Sequence, residues 1–344
     1  MHKLPLRLSG PQLLSGLTLL LLPAVVVALG SGAVYLTPAE SLQGMFRWWR
    51  NDPSQAGLII MQIRLPRVLL AALVGAVLGC SGAAMQGLFR NPLADPSLIG
   101  VSAGASLGAS LTIVAAGAGL QGISGLTLVS LGAFAGGLAA VLLVYRLASR
   151  GEGTSVATML LAGIAITALA GAAGNLLAFH ADNAMLRRIS LWHMGGLEGA
   201  DLARTLLALG VAAIVLGSLP LYARHLNALL LGESEARYLG IDVAHTQRAL
   251  VIIVAVGVGA AVALAGTIAF VGLVVPHIVR LLAGPDHRVL LPASALAGAL
   301  LLVVADTLAR VVLAPAELPV GIVTALVGVP FFLSLLRQRS RYGL

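Results

Sequence analysis

The chain has 344 residues, of which 59% are hydrophobic and only 10% charged, and its mean hydropathy is +1.00. Soluble domains carry about 25% charged residues, so a water-soluble enzyme or binding module is excluded and the chain is predicted to be all-α and polytopic, with about ten transmembrane helices. The net charge of +8 does not indicate nucleic acid, because the 21 basic residues are scattered between apolar segments and form no aromatic-studded stripe.

Ten apolar segments are expected near 12–35, 60–82, 93–114, 122–145, 156–178, 203–223, 249–268, 270–283, 290–312 and 320–336. A helix of roughly 20 residues crosses the ~30 Å hydrocarbon layer. The eighth segment is short and contains Pro276, so it is expected to span incompletely or to be broken. The first follows Lys3 and Arg7 and is read as an uncleaved helix, because it is long for a signal peptide and nine more spans follow. Ten spans put both termini on one side. With that side cytoplasmic, Arg47, Arg50, Arg64, Arg67, Arg187, Arg188, Arg204 and Arg310 fall outside, and the larger remainder of the 21 basic residues, Lys3 and Arg7 among them, falls inside. The chain is therefore read as a single membrane domain, 1–344, with both termini cytoplasmic.

Long outer loops at 36–59 and 179–202 have room for small surface helices. The only cysteine, Cys80, sits among small apolar residues and is read as a packing residue. The only lysine is Lys3, which excludes a P-loop in this chain. If the protein uses ATP, ATP and Mg²⁺ belong to another chain; no cofactor, metal or catalytic residue is assigned here.

Within 98–110, Gly100-Val101-Ser102-Ala103-Gly104 fits the G-x-S-x-G nucleophile elbow of α/β-hydrolases. Its flanks, "NPLADPS" and "ASLGASLTIVAA", read instead as a loop opening an apolar helix, with Asp95 and Ser97 as candidate caps. Gly100, Gly104 and Gly108 repeat every four residues and draw a small-residue stripe that packs helices or borders a path. The alternative from another class is an intramembrane serine protease using Ser102 and His277. A channel or ion-coupled carrier is disfavoured, since no span carries an array of paired carboxylates.

The most polar stretch is the inner loop 224–248, "RHLNALLLGESEARYLGIDVAHTQR". It reads as a short helix with Glu233 and Arg237 spaced i,i+4, a break at Gly240 and Asp242 capping the next helix. Its apolar residues Leu229, Leu230, Leu231 and Leu239 suit a docking element for a cytoplasmic partner.

Four stretches carry a resemblance: "RLPRVLLAALVGAVLGCSGAAMQGLFRNPLADPSLIGVSAGASLGA" (64–109), "LGESEARYLGID" (231–242), "GTIAFVGLVVPHIVRLLAGPDHRVLLPASALAGALLLVVADTLAR" (266–310) and "ELPVGIVTALVGVPFF" (317–332). Together they resemble the permease family of bacterial importers for iron-siderophores, haem and cobalamin, the transmembrane subunits of type II ABC importers. The resemblance implies a homodimer in the inner membrane with a central path. It implies two cytoplasmic ATPase subunits on the loop holding Gly232, Glu233, Ala236, Leu239 and Gly240. It also implies a periplasmic binding protein whose acidic residues meet exposed Arg64, Arg67 and Arg310. An i,i+4 pairing of Arg310 with Asp306 is compatible with that role.

The cargo of such a permease is a large iron chelate or a corrinoid. His277 and His287 lie in the family-like stretch and carry little weight as haem ligands. His180, Met185, His193 and Met194 in the second outer loop are soft ligands of the kind that bind haem iron, with Arg187 and Arg188 placed to meet propionates. His180, His193 and Met194 join Gly100, Gly104 and Gly108 as candidate path residues. Haem is the favoured cargo, with ferric siderophore and cobalamin as alternatives.

Overall fold

The computed structural model describes residues 8–52, 54–117, 122–150 and 153–341. Lys3 and Arg7, counted above with the inside set, lie outside them. Among the described residues the fold is helical apart from a two-residue antiparallel pairing of Ser149–Arg150 with Gly153–Thr154.

Ten apolar helices form the bundle. They are α1 (Gly10–Gly30), α3 (Gln55–Leu88), α4 (Val101–Ala116), α5 (Gly122–Ala148), α6 (Val156–His180), α8 (Leu202–Leu229), α10 (Val243–Ala265), α11 (Val271–Ala283), α12 (His287–Val311) and α13 (Val320–Arg341). Three short helices lie outside this set: α2 (Pro38–Trp49), α7 (Asn183–Met194) and α9 (Glu233–Tyr238). The ten expected segments each find a helix. α11, with 13 residues, rises only about 20 Å at 1.5 Å per residue and cannot span alone. The chain leaves the helical path at 266–270, immediately before it.

Helix starts follow local chemistry. Asp182, Asp201 and Asp242 each accept the N–H three residues on, at 2.8, 2.7 and 2.9 Å. Thr37 and Glu40 form a reciprocal capping box at the start of α2. Asp95 accepts Ser97 N–H at 2.8 Å, but it caps the 3₁₀ turn Pro96–Ile99. α4 itself opens at Val101, after Gly100 in the left-handed region at φ 80°, so the helix begins later than its expected cap.

Small residues zip the bundle, as expected where helices must associate without a hydrophobic driving force. On α3, a Cβ on Gly75 or Gly79 would collide with the carbonyls of Gly298 and Ser294 on α12. On α4, Gly104 and Gly108 meet the backbone of Gly136 and Gly132 on α5 in the same way. α3 and α10 are the innermost helices, whereas α1 and α6 present most of their apolar surface outward.

Candidate functional site

The two ends of the bundle hold different chemistry. At the α9 end, α8 finishes in a buried turn with Leu226 and Leu229 inside, and Gly232 turns the chain at φ 130°. α9 follows, anchored by fully buried Ala236. Glu233 faces Arg237 at 3.7 Å and Arg90, beyond the end of α3, at 4.0 Å, and Gln247 Nε2 of α10 donates to it at 3.3 Å. Leu230, Leu231, Tyr238 and Leu239 remain exposed, Tyr238 at 91%. Gly240, at φ 81°, ends α9 with open space around it. An anchored short helix that displays unmatched apolar side chains is built to meet another surface.

Beside it lies a polar joint that sequence reasoning missed. Asn227 Nδ2 donates to Asp286 Oδ1 at 2.6 Å, while Asn227 Oδ1 accepts from His287 N–H at 2.9 Å and from His287 Nδ1 at 2.9 Å. Asp286 also accepts Arg288 N–H at 3.0 Å as the cap of α12. That backbone bond, with help from the Asn227 amide and the charges of Arg288 and His287, holds its carboxyl below the usual carboxylate range. Nothing in the sequence relates Asn227 to a residue sixty positions on; only helix packing brings them together. His287 is buried and hydrogen-bonded there.

At the α2 and α7 end, the structure overturns the expectation that Arg64, Arg67 and Arg310 stand exposed for docking. Their exposures are 5%, 6% and 5%. Arg67 Nε donates to Asp306 at 2.9 and 3.2 Å, and its Nη1 donates to Glu317 at 2.7 Å. Arg310 Nε pairs with the other Asp306 oxygen at 3.0 Å, one helical turn away. Arg310 also donates to Ser31 O at 2.9 Å and Ala28 O at 3.2 Å. Arg64 donates to Leu29 O at 2.8 Å, Gly30 O at 2.9 Å and, closely, Val34 O. The physical reason is the end of α1: its last carbonyls have no donors within the helix and carry its negative dipole. Two guanidinium groups turn inward to supply those donors. A π-helical stretch over Ile59–Arg64 widens α3 where Arg64 makes that turn. Glu317 was not foreseen as a partner; a lone carboxylate among surplus arginines was the available signal. Glu198, in the loop after α7, faces the same cluster, and burial pushes its carboxyl above the usual range against the pull of Arg67.

The soft-ligand residues do not converge. His180 ends α6, and its Nδ1–H donates to Leu176 O at 2.9 Å. His193 lies near the far end of α7, about 15 Å along the helix from its first turn, and the two imidazoles have different neighbours. His193 is exposed at its edge beside Trp192 and offers its carbonyl to the Thr267 hydroxyl. Partial burial lowers the pKa of its ring. Met194 is 38% exposed, and its carbonyl meets Gly321 of α13. Arg187 and Arg188 are exposed on α7.

Gly104 and Gly108 are filled by α5 and belong to a helix seam, the packing alternative of the two that their stripe allowed; Gly100 is a left-handed turn. Ser102 lines a cavity of about 290 Å³ with Asp95, Ser97, Thr267 and Phe270. His277 instead stacks edge-on against Phe331 at 6.1 Å, by a separate crevice. The geometry gives a Ser102–His277 dyad no support.

The model of the FecCD transport family matches residues 19–338. The hemin transport system permease protein HmuU of Yersinia pestis is 48% identical over 334 residues, covering 96% of this chain and 97% of that protein. The vitamin B12 import system permease protein BtuC of Citrobacter koseri is 40% identical over 328 residues, covering 95% and 94%. Among solved structures, a metal-chelate type ABC transporter in an inward-facing conformation superposes with a TM-score of 0.82 at 32% identity, over 96% of this chain and 99% of that one.

Proposed function

The chain belongs to the FecCD transport family, and on that premise we propose that this permease subunit carries haem from the periplasm to the cytoplasm between two copies of itself in the bacterial inner membrane. The observation that carries the cargo assignment is the 48% identity to a hemin permease sustained over 96% of this chain; a cobalamin permease of Halobacterium salinarum reaches 47% over 71% of it, and the Citrobacter koseri vitamin B12 permease 40% over 95%. A vitamin B12 or ferric siderophore cargo is the second reading.

In this reading the α9 end is cytoplasmic, as are both termini. Two ATPase subunits dock on α9, with Gly232, Glu233, Ala236, Leu239 and Gly240 setting its position and Leu231, Tyr238 and Leu239 covered on assembly. The partner ATPase holds ATP and Mg²⁺. A periplasmic binding protein delivers cargo at the α2 and α7 end. There the exposed arginines of α7 suit an anionic partner or haem propionates, and the exposed imidazole of His193 suits a passing iron. Buried Arg64, Arg67 and Arg310 shape that surface by holding α1, α3 and α12 rather than by touching the partner. The route demands transient contact, because a bulky cargo must enter and also leave.

Uptake into proteoliposomes that contain the permease, its ATPase and its binding protein tests the reading. ATP-dependent accumulation of haemin, with cyanocobalamin and a ferric siderophore not accumulated, is the expected result. Accumulation of either alternative instead of haemin reassigns the cargo. Equal haemin rates for wild type and His193→Ala remove His193 from the route.

A further inference from the structure

We propose that Asn227 is a positioning residue that couples α9 to the α3–α12 pair, so that movement of the docking helix is delivered to the opposite end of the bundle. The inference rests on the importer reading above, and it assigns a role to a joint that the reading does not use.

α3 and α12 are the most intimately packed helices of the bundle, with Gly75 and Gly79 against Ser294 and Gly298 at backbone contact. At the far end, the buried Arg67–Asp306 ion pair at 2.9 Å locks the same two helices, and Arg67 reaches on to Glu317 in the loop before α13. Close-packed interfaces of this kind shift between discrete arrangements rather than deform smoothly. The pair therefore moves as a unit or not at all.

A unit of that length needs a grip at the α9 end, and Asn227 provides one. It stands on the last turns of α8, six residues before α9 begins. Its carboxamide holds both the capping Asp286 and the first residue of α12, at 2.6 and 2.9 Å. The imidazole of His287, turned by Asn227, lies buried against α3, where a Cβ on Gly87 would collide with Nε2 and approach Leu226 Cδ2 at 3.0 Å. α8, α12 and α3 thus meet at one point, next to the helix that receives the partner. The other polar link, Arg90 to Glu233 at 4.0 Å, is exposed and of the kind that contributes little. A carboxamide suits the joint because one group must donate to a carboxylate and accept from a backbone amide at once.

The test uses the full complex in proteoliposomes and reads ATP hydrolysis and cargo uptake together. Wild-type uptake with ATP tests the importer reading on its own; the variants are then compared with it. Asn227→Leu is expected to keep ATP hydrolysis within about twofold while uptake per ATP falls at least about tenfold, the scale of a lost coupling free energy. Asn227→Asp sets two carboxylates face to face and should uncouple similarly. The swap Asn227→Asp with Asp286→Asn restores one donor and one acceptor across the pair and should recover coupling in part, because an amide nitrogen turned to the new carboxylate gives up the Arg288 N–H bond that the same Asp286 oxygen accepts. Protection of the buried Cys80 thiol from a maleimide confirms folding of each variant, and the swap keeps the test decisive if Asn227→Leu does not fold. Hydrolysis and uptake falling in equal proportion, neither changing, or a swap no better than Asn227→Asp would overturn the proposal.

Discussion

Replacing Asp306 by alanine tests whether the arginine cluster is structural. Its carboxylate is 1% exposed, accepts from Arg67 at 2.9 and 3.2 Å and forms an ion pair with Arg310 Nε at 3.0 Å. Removing it leaves two buried guanidinium groups facing each other, with Glu317 compensating Arg67 alone. Breaking one side of a buried ion pair costs about 3–5 kcal/mol, because the surviving charge stays desolvated. For a chain of this length each kcal/mol moves the midpoint by roughly 2 °C, so Asp306→Ala should unfold on the order of 6–10 °C below wild type. Asp306→Ala with Arg67→Leu removes the stranded charge that holds no backbone carbonyl and should recover part of that loss, a coupling that only contacting residues show. The single buried cysteine makes the assay simple: a thiol-reactive fluorophore reports Cys80 as the protein opens on heating in detergent. A single variant within about 1 °C of wild type would refute the buried-network reading and return the arginines to solvent-facing roles.

Two further outcomes are expected. Gly104→Val should destabilise markedly, since its Cβ would overlap Gly136 O and Ala140 Cβ, whereas Ser102→Ala removes a hydroxyl from a cavity wall and should stay within about 0.5 kcal/mol; the same Cys80 melting assay separates them. Asp286 has a carboxyl held below its ordinary range, chiefly by Arg288 N–H, so its contribution is present above the unfolded carboxylate pKa of about 4 and is lost as pH falls through the folded value. The melting difference between wild type and Asp286→Asn should therefore be constant from neutral pH down to about 5 and shrink below about 4.

Much of the fold was legible because each signal is local. A run of apolar residues specifies a helix in lipid whatever surrounds it, and the Pro276 segment showed its shortness in its own letters. Caps such as Asp242 were readable for the same reason, being bonds between residues three apart. The site was legible only where it too is local: Glu233 and Arg237 share one turn of α9. Asn227 with Asp286, and Arg67 with Glu317, are meetings of distant segments, and no periodicity announces them.

The arginines show why placement at a membrane edge is insufficient to assign a role. Charge counting put Arg64, Arg67 and Arg310 near a surface, where an arginine costs little, and the family resemblance implied a docking role for them. A helix end supplies a competing use that composition hides. The carbonyls of Ala28, Leu29, Gly30 and Ser31 need donors, and near lipid an unmet carbonyl costs several kcal/mol. A guanidinium offers five N–H groups in a fixed fork, enough for Arg310 to meet two carbonyls and a carboxylate together. The demand for arginine at this end of the bundle is thus met first by backbone, and the exposed arginines lie instead on or beside the short helices, Arg187 and Arg188 on α7 and Arg50 just after α2.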